Sequence, residues 1–142
     1  MNNNPAKVYL QSYNLAKVRL RAVTMELADR YYDAARVGSA AMDADRVTSS
    51  PSGDGLMNAT IRLIEVEDNL NRQRDMLQSL MRGVLETINS LSDDRYKTLL
   101  YMRYIRCMPW SMIRREMHYE ERWCYEIHGR ALAEVNLKIK KD

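Results

Sequence analysis

Apolar residues recur along this chain at spacings of three and four, the signature of helices with one buried stripe. Tyr9, Tyr13, Ala16, Leu20, Val23, Leu27, Tyr31 and Ala34 form a first seam. Asn4 is placed to cap it and Pro5 to be its first helical residue. The pattern predicts a helix from Pro5 to about Arg46, roughly 60 Å long at 1.5 Å per residue, with a break or bend expected at Gly38 and Ser39. The polar stretch from Thr48 to Gly55, with Ser, Pro, Gly and Asp together, cannot hold a helix and predicts a mobile loop. Leu63, Val66, Leu70, Leu77, Leu80, Val84, Ile88 and Leu91 form a second seam, interrupted at Gln73 and Arg74. Two long helices joined by a loop near 48–56 fold back as an antiparallel pair, seam on seam.

The pattern changes after Leu91. Ser92 can cap a new helix, and Asp93 and Asp94 suit its positive end. Leu99, Leu100, Met102 and Ile105 give it an inner face. Pro109 begins a short helix through Met117, His118 and Tyr119 make a turn, and a last helix opens at Tyr119 or Glu120 and runs to about Ile139. The fold class expected is therefore all-α: a long helical hairpin over residues 1–91, then a helix-turn-helix domain over residues 92–142. In such a domain the short and the long helix lock together, and the free face of the long one enters the major groove. Ile113 and Met117 are expected to pack on Cys124, Ile127, Ala131 and Leu132, which fall on one stripe of the last helix.

Composition narrows the function. A hydrophobic share of 46% and a charged share of 29% are those of a folded domain. No run of apolar residues is long enough to cross a membrane, and the polar opening Met1 to Pro5 is no signal peptide, so a cytoplasmic protein with no membrane partner is expected. Residues 1–92 hold eleven basic and eleven acidic side chains, whereas residues 93–142 hold eleven and eight. The net charge of +3 thus lies wholly in the C-terminal part, as suits a polyanion partner. Two cysteines, Cys107 and Cys124, make no disulfide framework. With His118 and His128 they match no zinc spacing, and no cofactor is expected. Cys124 reads as a buried thiol and His128 as a surface residue near phosphate. Phosphate-loop, metalloprotease and nucleophile-elbow motifs are missing from the sequence, which argues against an enzyme.

The stripe opposite the buried one carries Glu121, Arg122, Tyr125 and Glu126, candidates for base contacts, since Arg can read guanine and Glu can accept from cytosine. Arg103, Arg114, Arg115 and Arg130 are candidates for phosphate contacts. Trp110 is expected as a core anchor. Trp123 either touches DNA or packs on the hairpin.

Leu100, Arg103-Tyr104, Trp110-Ser111-x-Ile113, Ile127 and Ala131-Leu132 together resemble region four of bacterial sigma factors. Arg103-Tyr104-Ile105, Pro109-Trp110-Ser111-Met112-Ile113 and Ile127 to Leu132 more closely resemble the ArpU-type regulators of phages and prophages. The chain departs from the sigma-like pattern at Arg114, where a small residue is usual, and at Glu120, where Ser or Thr is usual. The resemblance implies a phage-type transcriptional regulator of late genes, bound to double-stranded DNA; its hairpin is expected to form a homodimer, or to contact RNA polymerase as the sigma resemblance implies. The competing expectation is a helical assembly or adaptor protein, such as a small terminase subunit of a DNA-packaging machine.

Overall fold

The computed structural model describes residues 4–44 and 53–141. The chain is all-α: α1 (Pro5–Ala44), α2 (Gly53–Asn89), α3 (Asp94–Leu100) continued by a π-helical turn (Tyr101–Ile105), α4 (Trp110–Met117) and α5 (Glu121–Lys141). Most of the expected loop from Thr48 to Gly55 lies outside the described residues, and its last three residues already belong to α2. Helix α1 runs on through Gly38 and Ser39 without a break.

Packing divides the chain otherwise than at residue 91. Arg19–Leu77 forms one compact unit, and the flanking stretches, up to Val18 and from Gln78, form the other. In the first unit Val23, Leu27 and Leu70 are buried together, with Val66 and Leu77 against them. Tyr31, expected in the seam, is 61% exposed, and Glu67 beside its hydroxyl pushes the phenol's pKa up. A Tyr can hold a seam position by its ring edge while its oxygen stays wet.

The second unit holds the larger core. Ala6 and Leu10 of α1 and Val84 and Ile88 of α2 share it with Leu91, Leu99, Leu100, Tyr104, Ile105, Ile113, Ile127, Ala131, Leu132 and Val135. The first turns of α1 and the last of α2 are therefore walls of the C-terminal domain. Polar contacts fix them there. Asn4 caps α1 by accepting from the Ala6 amide (3.1 Å), which also donates to Asn136 Oδ1 of α5 (2.8 Å), and Asn136 Nδ2 donates to Asn4 Oδ1 (2.9 Å). Tyr9 and Thr87 hydroxyls meet at 3.2 Å.

Two local features differ from the pattern's expectation. Asp93, not Ser92, caps α3, accepting from the Arg95 amide at 2.9 Å; its carboxyl sits below the usual range because the Arg95 side chain and amide both donate to it. Ser92 is taken by Glu134 of α5, which accepts from its amide (2.7 Å) and its hydroxyl (3.0 Å). Helix α3 also widens at its end: the Arg106 amide donates to Tyr101 O (3.0 Å), five residues back. The buried pairs Leu99–Leu100 and Tyr104–Ile105 are five residues apart, which fits that wider turn. An unbroken α-helix would carry Arg103, four residues after Leu99, onto the buried stripe. The π-turn puts Tyr104 and Ile105 there and leaves Arg103 beside it. Cys107 then reverses the chain in the left-handed region at φ 54°.

His118 adopts the same left-handed conformation at the end of α4, φ 56°, ψ 41°. Its amide and that of Tyr119 both donate to Arg114 O, the closure that glycine usually provides after a helix. A side chain there is strained by roughly 1 kcal/mol. His118→Gly is expected to raise the unfolding free energy by about 0.5–1 kcal/mol, read as a higher denaturation midpoint at unchanged slope; a lower midpoint would contradict the strain.

Candidate nucleic-acid interface

The short helix α4, the His118 turn and α5 are joined at their inner faces by buried residues. Pro109 enters α4 in extended conformation, ψ 152°, and its fixed ring needs no amide partner at the helix start. Ile113, Cys124, Ile127 and Ala131 are each at most 1% exposed, so the stripe predicted on α5 is the buried one. Burial pushes the Cys124 thiol pKa up. Glu120, just before α5, accepts the Cys124 amide on its carbonyl at 3.0 Å.

The opposite face of α5 is open. Glu121, Arg122, Tyr125, Glu126, Gly129 and Arg130 are exposed there, so all four predicted base-contact residues share one surface. Its charges are partly cancelled within the face. Glu121 pairs with Arg114 (3.4 Å) and Glu126 with Arg130 (2.9 Å). Among the described residues Arg115 and Arg122 make no ion pair, and both are exposed. Exposed pairs of this kind are worth less than about 1 kcal/mol and are readily exchanged for another anion. The Nε of Arg114 is enclosed without an acceptor, so only the tip of its guanidinium is offered to a partner.

The four predicted phosphate residues are placed differently. Arg114 and Arg130 reach the open face through their pairs with Glu121 and Glu126, and Arg115 of α4 is exposed. Arg130 also lies over the Trp123 ring at 5.5 Å. Arg103 is held inward: its Nη1 donates to Met108 O at 3.0 Å, and its guanidinium lies 4.8 Å from the Trp110 ring centre. Trp123 packs on the core of this domain, its ring edge-on to Tyr119 at 6.3 Å.

A cluster behind Tyr125 was not expected. Trp110 is half-buried and meets Tyr125 at 5.2 Å and, edge-on, His128 at 4.8 Å. His128 Nε2 and the Tyr104 hydroxyl share a 2.8 Å hydrogen bond, with their rings stacked. The expectation of His128 as a surface residue near phosphate is therefore corrected: the ring is half-buried and points into the domain. Burial pushes its pKa down to about 4, with Lys7 and Arg103 adding positive charge, so it is neutral at pH 7. Burial likewise raises the Tyr104 phenol to about 12. One signal for this lay in the sequence: residue 128 follows 124 by four and precedes 131 by three, both on the buried stripe.

Comparison with protein-family models, curated proteins and solved structures finds no match. No helix among the described residues is long and apolar enough to cross a membrane.

Proposed function

We propose that the protein is a sequence-specific, double-stranded-DNA-binding transcriptional regulator of the helix-turn-helix kind. One observation carries this reading: α4 and α5, joined by a tight left-handed turn, bury Ile113 and Ile127 in one core, while Arg122 and Tyr125 stand outward at the start of the longer helix. A helix so presented fits a major groove about 12 Å wide. In this reading Arg122, Tyr125, Glu121 and Glu126 reach base edges, and Arg114, Arg115 and Arg130 hold phosphates. The resemblance to ArpU-type regulators adds the setting of phage or prophage late genes; the hairpin then forms a homodimer, which places two half-sites whole helical turns apart, or contacts RNA polymerase.

Selection from a pool of random duplexes tests it. The wild type is expected to enrich one motif, and Arg122→Ala and Tyr125→Ala each to weaken binding to that motif by about 1–3 kcal/mol. An unenriched pool, or unchanged affinity in both variants, contradicts the assignment.

A second reading, a helical assembly or adaptor protein, is favoured by one observation: Met25, Tyr32, Ile61, Ile64 and Met76 of the Arg19–Leu77 unit are 48–73% exposed. Apolar groups in such number are often contact surfaces. Light scattering separates the two. A monomer or dimer goes with the regulator, and a large ring with packaging.

A further inference from the structure

Beside α3's π-turn lies an open cleft of about 420 Å³, lined by Gln11, Asn14 and Leu15 of α1 and by Arg103, Tyr104 and Cys107. Its volume falls within the range of small-molecule sites. Its lining holds one cation, two amides, a phenol, a thiol and one apolar side chain, and no carboxylate. Arg103 is half-buried, yet it has no acidic partner among the described residues. Met108 O takes only Nη1, and Trp110 covers one face, so Nε and Nη2 have no protein acceptor among the described residues. A partly desolvated guanidinium without a counter-ion, held rigid by a carbonyl and a ring, is a fork built for two oxygens of an anion. Gln11 and Asn14 can supply further donors at the same wall, and Leu15 can meet a short carbon chain.

We propose that this cleft binds a small organic oxyanion, a carboxylate or a phosphate ester, on Arg103, Gln11 and Asn14. The site also adjoins the DNA-reading face. Arg103 lies on Trp110, and Trp110 lies on Tyr125 (5.2 Å between ring centres). A ligand that draws Arg103 toward the cleft alters the support of Tyr125. The binding stands by itself, and its effect on DNA affinity rests on the function proposed above. Arg103 thereby becomes a ligand-binding residue and not a DNA-phosphate contact.

Cys107 is an exposed thiol in the cleft, and Cys124 is buried, so the site carries its own probe. Alkylation at Cys107 is followed by mass spectrometry with anionic iodoacetate and neutral iodoacetamide; in each, the thiolate displaces iodide. The iodoacetate-to-iodoacetamide rate ratio is expected to exceed that of glutathione by fivefold or more. Arg103→Gln should return it to the glutathione value, and Arg103→Lys should keep part of it. On the wild type, which removes any question of folding, millimolar succinate or glycerol phosphate should slow iodoacetamide alkylation at least fivefold, with sodium chloride at equal ionic strength as control. Protection by one compound alone identifies carboxylate or phosphate ester as the ligand class. A ratio equal to that of glutathione, or protection no better than sodium chloride, overturns the site. So does a fall of about one in the salt slope of DNA binding on Arg103→Gln with the Cys107 rates unchanged, since Arg103 would then hold DNA. Failure to bind any duplex, with the alkylation pattern intact, removes the DNA reading and leaves the cleft.

Discussion

Ile127→Ala is expected to cost the C-terminal domain about 3–4 kcal/mol, within the range for large-to-small changes in a closed core. Ile127 is fully buried, in one cluster with Ile113, Leu99 and Val135. Its loss removes apolar burial and leaves a cavity between helices that are pinned at their ends and cannot collapse freely. Asn136 ties α5 to the start of α1, and Glu134 ties it to Ser92. Trp110 and Trp123 both lie in this unit, so tryptophan fluorescence during urea denaturation follows its unfolding. Ile64→Ala, at a residue 50% exposed in the other unit, is the control and should change little. Equal effects from the two variants would mean that the core around Ile127 is not the centre of stability.

The second large effect is acid destabilisation through His128. Its ordinary pKa is 6.5 and its folded value about 4, so the unfolded chain takes up the proton first. Above pH 6.5 the ring is neutral in both states and contributes no pH dependence. Between pH 6.5 and 4 the unfolded state alone is protonated, so stability falls as pH falls. The full shift corresponds to about 3 kcal/mol, and partial solvent access to the ring reduces this to on the order of 2 kcal/mol. His128→Gln can keep a hydrogen bond to Tyr104 but cannot titrate. The difference in unfolding free energy between wild type and variant should therefore shift in the variant's favour from pH 6.5 to pH 4. A constant difference over that window would show a ring already open to solvent.

Much of the C-terminal domain was legible in the sequence because its signals are local. Asn4-Pro5 and Pro109 mark helix starts, and 124, 127 and 131 mark a buried stripe. What was not legible depended on contacts between distant segments. Ala6 and Leu10 are buried because α5 and α2 meet them; the seam read from Tyr9 and Tyr13 leaves them out, although both tyrosines also pack against that core. The π-turn left a trace in the five-residue spacing of Leu99–Leu100 and Tyr104–Ile105, but short apolar runs fit several helical periods. The inward turn of His128 required Tyr104 and Trp110, and that of Arg103 required Trp110, each on another helix. The predicted base-contact residues fell on one face because the 3.6-residue period alone places them.

The most direct test of DNA recognition is fluorescence anisotropy on the selected duplex and on a scrambled duplex, across a salt series. Preference for the selected duplex is expected, with log K falling against log salt at a slope of about −3 per protomer if Arg114, Arg115 and Arg130 each neutralise one phosphate. Equal weak binding to both duplexes, or none at low salt, would contradict the regulator and direct attention to the exposed apolar residues of the helical pair.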